Sequence, residues 1–151
     1  MHIYTIGTTA DVSLTAATAK TILAWINGAT RRSRILEVQL GFNSQTSTDQ
    51  AVLIEVVRFT TDGTGTAVTP VALDPGNPAA IGTAKYNYTV EPTTPTIVVP
   101  GQRITPQQGG TLIWQLPMTR EILCPVSNLI GIRLTAPNNQ SGVRATVTVE
   151  E

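Results

Sequence analysis

The chain is a succession of short apolar stretches separated by polar and turn-forming residues. Ser33–Phe42 (SRILEVQLGF) alternates, with Leu36, Val38, Leu40 and Phe42 on one face and Glu37, Gln39 and Gly41 on the other. A period of two marks a half-buried strand. Ala51–Thr60 (AVLIEVVRFT) is a nearly continuous apolar run rich in β-branched residues whose only charges are Glu55 and Arg58. It reads as a strand covered on much of both faces, one packing inside a core and the other under the N-terminal segment or another subunit. Between them lie eight polar residues, Asn43–Gln50 (NSQTSTDQ). The expectation is a long central β-hairpin with a solvated tip.

The same reading gives strands elsewhere. Met1–Gly7 (MHIYTIG) is either an edge strand or an arm that pairs with a neighbouring subunit. Asp11–Ala17 and Ala19–Ile26 follow, the latter ended by Asn27-Gly28, a dipeptide suited to a turn with positive φ. A helix over Ala16–Trp25 competes, but Thr15, Thr18, Thr21, Ile22 and Ile26 favour a strand. Thr66–Leu73 is an edge strand, since Pro70 lacks a ladder donor. Ala84–Glu91 places Tyr86 and Tyr88 on one face. Thr96–Val99 and Arg103–Thr105 are fragments broken by Pro100-Gly101. Thr111–Leu116 places Leu112, Trp114 and Leu116 together, and Thr119–Leu123 has room for one helical turn. Asn128–Ala136 and Val143–Glu150 form a closing hairpin. About nine short strands with turn signals between them predict an all-β, single-domain β-sandwich or jelly-roll-like barrel with a possible N-terminal arm over residues 1–10.

Composition narrows the function classes. Ten basic residues balance ten acidic ones, and only 13% of residues are charged, about half the usual share. No basic stripe calls for nucleic acid, and no apolar run approaches the ~20 residues of a membrane helix. The N-terminus carries no secretion signal, so the expected site of synthesis is the cytoplasm. Threonine, with 25 copies, makes a hydroxyl-rich surface that resists association less than a charged one does.

Candidate chemistry is sparse. The lone histidine, His2, is a poor anchor for a positioned base. Cys124 lies between Leu123 and Pro125 and reads as a buried inert thiol. No metal-ligand spacing occurs, so no cofactor or metal is expected. Glu37, Glu55, Glu91 and Glu121 are the carboxylates available for an acid–base pair, with Glu37 and Glu55 facing each other if the central hairpin forms. Trp25 and Trp114 read as core. Arg31, Arg32 and Arg34 make a local basic spot suited to an acidic protein partner.

The stretches AATAKT (Ala16–Thr21), RRSRILEVQLGF (Arg31–Phe42), Val52–Ala80 with its Gly-Thr turn and Leu-Asp-Pro loop, Glu91-Pro92-Thr93, PQQGG (Pro106–Gly110), and the ending GIRLTAP and ATVTVEE carry a further signal. In order and composition the chain resembles the small β-rich proteins that decorate or cement the capsids of tailed bacteriophages. The resemblance implies a non-enzymatic virion protein on the capsid surface. It implies a homo-trimer bound to the major capsid protein at three-fold or local three-fold positions. It carries no catalytic or cofactor residues. The expected partner-interface residues are Ile3, Tyr4 and Ile6, on the possible arm, with Arg31, Arg32 and Arg34. The alternative within the same resemblance is a minor head, tail or fibre-tip module binding a receptor or carbohydrate, which requires a cleft with exposed aromatics such as Tyr86, Tyr88 or Trp25.

Overall fold

The computed structural model describes residues 2–43, 51–93, 95–104 and 110–151. Among these residues there are thirteen β-strands and no helix. They are β1 (Ile3–Gly7), β2 (Val12–Leu14), β3 (Ala19–Ile26), β4 (Ser33–Phe42), β5 (Val52–Phe59), β6 (Thr64–Val68), β7 (Val71–Ala72), β8 (Thr83–Val90), β9 (Thr96–Ile104), β10 (Thr111–Gln115), β11 (Ile122–Cys124), β12 (Leu129–Thr135) and β13 (Gln140–Glu150). A seven-stranded sheet runs β10-β4-β13-β1-β7, with β11 also on β4 and β2 also on β13. A six-stranded sheet runs β6-β8-β3-β12-β5-β9. All pairings are antiparallel. The two sheets enclose one main core, which includes Trp25, Ile35, Val38, Leu40, Val56, Ile132 and Val147. The chain is thus an all-β sandwich.

Neither expected hairpin forms. β4 lies in the seven-stranded sheet and β5 in the six-stranded one, and β12 and β13 are divided in the same way. Among the described strands, none pairs with its neighbour in sequence. Alternation specifies which face of a strand is buried; it does not specify which strand lies alongside. In a sandwich the chain can bury both members of a pair by crossing between sheets. The expected polar tip beyond Asn43 lies outside the described residues. Glu37 and Glu55 therefore stand on opposite sheets and do not face each other.

The central strand also changes phase. Ser33 and Ile35 are buried, Leu36 is only half-buried, and Val38, Leu40 and Phe42 resume the core face. The register against β13 shifts there, Glu37 pairing with Thr148 and Ile35 with Val149. Leu36 is the extra residue of a bulge, which moves one residue off the alternation. The bulge falls where β11, on Ser33–Ile35, gives way to β10, on Glu37–Gly41.

The N-terminal segment is not an arm. β1 pairs with β13 from Ile3↔Glu150 to Gly7↔Thr146, and with β7 on its other side. Other local expectations shift too. Thr66–Leu73 splits at Pro70 into β6 and β7, which lie in different sheets. The fragments around Pro100-Gly101 join into one strand, β9, with register shifts against β5. Residues 117–120 form a β-turn and Ile122–Cys124 a strand, in place of a helical turn. Asn27-Gly28 takes no positive φ. Instead the Asn27 amide donates to the carbonyls of Arg31, Cys124 and Pro125 at 2.8, 3.1 and 2.9 Å.

The outward side of β5 is covered, as its apolar run demands, but not by the N-terminal segment, which belongs to the other sheet. Val57, Phe59 and Leu129 form a second small cluster there. The β8–β9 connection passes from β3 to the end of β5. The Glu91 carboxylate accepts the Thr21 amide (2.9 and 3.0 Å) and the Thr21 hydroxyl (2.6 Å), and Thr93 forms a bridge with Thr61. Gly63 is the residue that lets this connection approach: a Cβ there would lie 2.1 Å from the Val90 carbonyl oxygen and 2.8 Å from the Glu91 carbonyl carbon. Backbone cannot yield as a flexible side chain can. Gly63→Ala is expected to cost roughly 3 kcal/mol, the upper end of ordinary overpacking, and to lower Tm by about 6–12 °C. An unchanged melting curve would show that the connection is not held against Gly63.

Candidate interaction surfaces

The arginines come together. Ser33 is fully buried as the first residue of β4, which turns Arg34 outward beside Leu123 of β11 and Glu150 of β13. Arg31 and Arg32 precede it and are exposed. These residues with Glu151 line an open cleft of about 550 Å³. The Glu151 carboxylate is already engaged, accepting the amides of Ile81 and Gly82 at 2.9 and 2.8 Å. The half-buried Glu121 carboxyl is held below the usual range, chiefly by its own and the Thr119 amides and further by Arg34. The cleft thus offers three guanidinium groups against few free carboxylates, a setting for an acidic chain.

Ile3, Tyr4 and Ile6 do not join this surface. Tyr4 and Ile6 are 1% and 2% exposed, and Ile3 is half-buried. The Tyr4 hydroxyl donates to the Pro78 carbonyl at 2.9 Å. Burial, and then the Glu151 carboxylate, push its pKa up. With Tyr4 and Ile6 closed into their own sheet, they present nothing to a partner. The cleft of exposed aromatics required by a carbohydrate module is also missing at the expected residues, since Trp25, Tyr86 and Tyr88 are all buried. Trp114 is half-buried against the core.

The carboxylates weighed as an acid–base pair serve as ties between strands. Glu37 accepts amides from Gln39 and Gln115 on the outside of the seven-stranded sheet. Glu55 accepts both Nε and Nη2 of Arg133 at 3.1 and 2.9 Å across β5 and β12. Glu91 holds Thr21. Asp62 accepts Lys85 at 2.5 Å and the Tyr88 hydroxyl at 3.1 Å, and Asp11 pairs with Arg144 at 2.5 Å. Burial, reinforced by Asp62, pushes the Tyr88 pKa far up. Among the described residues no group of three metal-binding side chains occurs. No helix among them is long and apolar enough to cross a membrane.

Cys124 is fully buried beside Ser33. Burial raises its thiol from 9.0 to about 11, with Arg58 and Ser33 pulling weakly the other way. The unfolded chain releases this proton near pH 9, whereas the fold retains it to about pH 11. Between those values the folded state binds more protons, so stability falls as pH rises, by up to about 1.4 kcal/mol per pH unit. Denaturation of wild type and Cys124→Ala between pH 8 and 11 checks this. The stability difference between them should move against wild type above pH 9, and a constant difference would refute the burial of the thiol.

One surface gave no signal in the sequence. The outer face of the seven-stranded sheet carries Thr111, Ile113 and Gln115 of β10 opposite Gly41, Gln39 and Glu37 of β4. Arg144, Thr146 and Thr148 of β13 follow, then Gly7 and Thr5 of β1. It is open, rich in threonine and nearly neutral, because Arg144 is paired with Asp11. Its β10 edge lacks the protections of the others. β9 carries Pro100, Arg103 and register shifts; β6 has a register shift; β7 has two residues. β10 is uncharged, in unbroken register with β4, and exposes Ile113 at 62%. Native edges are usually blunted by such devices. Only pairing knowledge turns Thr111–Gln115 from a core-facing strand into an edge among the described strands.

The geometry defines an all-β sandwich with an arginine cleft and an open neutral sheet face. No protein-family model matches the sequence, and no curated protein matches it. Among solved structures, a chain in the crystal structure of the T13 IBDV viral particle is similar over 97% of this chain, at 10% sequence identity and a TM-score of 0.44. This chain spans 30% of the length of that one.

Proposed function

We propose that this chain is a non-enzymatic virion structural protein that binds the outer shell of a tailed-phage capsid, as a trimer, and stabilises it. One observation carries the reading: the ionisable side chains tie strands together within the fold, while an open, nearly neutral sheet face lies beside a cleft of three arginines. The sequence resemblance to capsid decoration proteins supplies the particular class. In this reading Arg31, Arg32 and Arg34 receive an acidic segment of the major capsid protein. Binding to the assembled shell alone stabilises that state by mass action.

Co-sedimentation of the purified chain with shells lacking it tests the proposal. Saturable occupancy and a higher shell-disruption temperature are expected. Replacing Arg31, Arg32 and Arg34 together by Glu should lower affinity at least ten-fold and abolish its salt dependence. Failure of the wild-type chain to bind or to stabilise the shell would overturn the proposal.

A further inference from the structure

The guanidinium groups of the cleft have no counter-ion of their own. Among the described residues, the side chains of Arg31, Arg32 and Arg34 make no ion pair and no hydrogen bond. Glu150 stands opposite Arg34 in the sheet without bonding to it, and Glu151 is held by the Ile81 and Gly82 amides. The segment that carries the arginines is nevertheless fixed in place. Asn27 is 4% exposed, and its side-chain amide ties the Arg31 carbonyl to those of Cys124 and Pro125. The Ser127 amide adds a bond to the Gly28 carbonyl at 3.1 Å. The charges are therefore pinned against the end of β11, and little ordering remains to be done when a partner arrives.

An apolar side chain stands beside these charges. Leu123 of β11 lies directly opposite Arg34 of β4 and lines the same cleft. It is 46% exposed, and Val126, just beyond Pro125, is 40% exposed. Side chains at directly opposed positions stand about 5 Å apart. The backbone of β11 is closed to an added strand at this point, because the Leu123 carbonyl accepts Arg58 Nη2 at 2.6 Å. A partner meets side chains here rather than a free strand edge. Guanidinium forks suit carboxylates and phosphates alike; the exposed leucine next to them decides for a peptide. In an extended chain, side chains two positions apart share a face at a spacing of about 7 Å. An acidic and an apolar residue so placed reach Arg34 and Leu123 together.

We infer that the cleft takes an extended peptide segment carrying an apolar residue two positions from an acidic one, the apolar side chain on Leu123 and the carboxylates on Arg31, Arg32 and Arg34. This rests on the proposed capture of an acidic segment of the shell protein and specifies what that segment carries. Charge draws the segment in, and the leucine contact separates it from other polyanions.

Titration with short synthetic probes tests it. The probes are the peptide Asp-Ser-Leu-Ser-Asp-Ser-Asp, its counterpart with Ser in place of Leu, and a single-stranded DNA of equal length. Wild type is expected to bind the leucine peptide at least five-fold more tightly than the other two. Leu123→Ser should bring the two peptides within two-fold of each other with unchanged circular dichroism, and Leu123→Thr replaces it if it misfolds. Leu123→Met should keep the preference. Equal affinity of wild type for both peptides, a preference that survives Leu123→Ser, tighter binding of DNA, or no binding of the leucine peptide overturns the inference. Shell binding without a peptide preference sinks this subsite and leaves the proposed function standing; a peptide preference without shell binding does the reverse.

Discussion

Trp25→Ala is expected to remove about 3–5 kcal/mol of stability. That is a large fraction of the roughly 5–15 kcal/mol available to a domain. Trp25 lies on β3 of the six-stranded sheet and is 1% exposed. Its indole N–H donates to the Ser33 hydroxyl at 2.8 Å, across the core to the first residue of β4. One side chain thus fills the space between the sheets and fixes where the other sheet's central strand begins. Gly82 backs the ring so closely that a Cβ there would lie 2.2 Å from Cζ2, so the surroundings are moulded to the indole. Truncation leaves a cavity and deprives a fully buried hydroxyl of its donor, which adds to the transfer cost. Trp25→Phe keeps most of the apolar volume and should cost about 1–3 kcal/mol, near the penalty for an unpaired polar group. Urea unfolding with unchanged m-value measures both. A Trp25→Ala midpoint within experimental error of wild type would refute the packing described.

Arg133→Ala should cost about 2–3 kcal/mol, somewhat below the figure for breaking a fully buried ion pair. Arg133 and Glu55 lie directly opposite each other in the β12–β5 register. Their side chains are 17% and 10% exposed. Removing the guanidinium leaves a carboxylate shielded from water without its cation, and the loss comes mainly from that stranded charge. A double replacement, Glu55→Leu with Arg133→Leu, should therefore recover most of the stability lost by the single change. A double-mutant cycle measures the coupling. If the double variant is as unstable as Arg133→Ala, the stranded charge is not the cause.

The limits of legibility follow from the same residues. Val143, Ala145, Val147 and Val149 were readable as one buried face because alternation is a property of the strand itself. Tyr86 and Tyr88 read as one face, but Asn87 at φ +51° and a register shift against β6 turn Tyr88 to the side of Lys85, where both meet Asp62, while Tyr86 stays in the main core. Leu36 misled because a bulge arises where two partners meet on β4, and neither partner is adjacent in sequence. The arginine cluster was legible as charge, but its cleft needed Leu123 and Glu150, brought to Arg34 from distant strands. Tyr4 and Ile6 looked available to a partner because a terminal strand is equally able to pair at home or abroad, and β13 took it at home.

The sequence by itself determined an all-β chain, the positions of most strands, their buried faces and the near-neutral balance of charge. These follow from backbone sterics and from side-chain preferences that act within a few residues. Tertiary structure alone decided that β4 and β5 occupy different sheets and that β1 pairs within its own chain. Pairing is selected by the burial of whole faces against one another, a property of the folded chain that no local stretch contains.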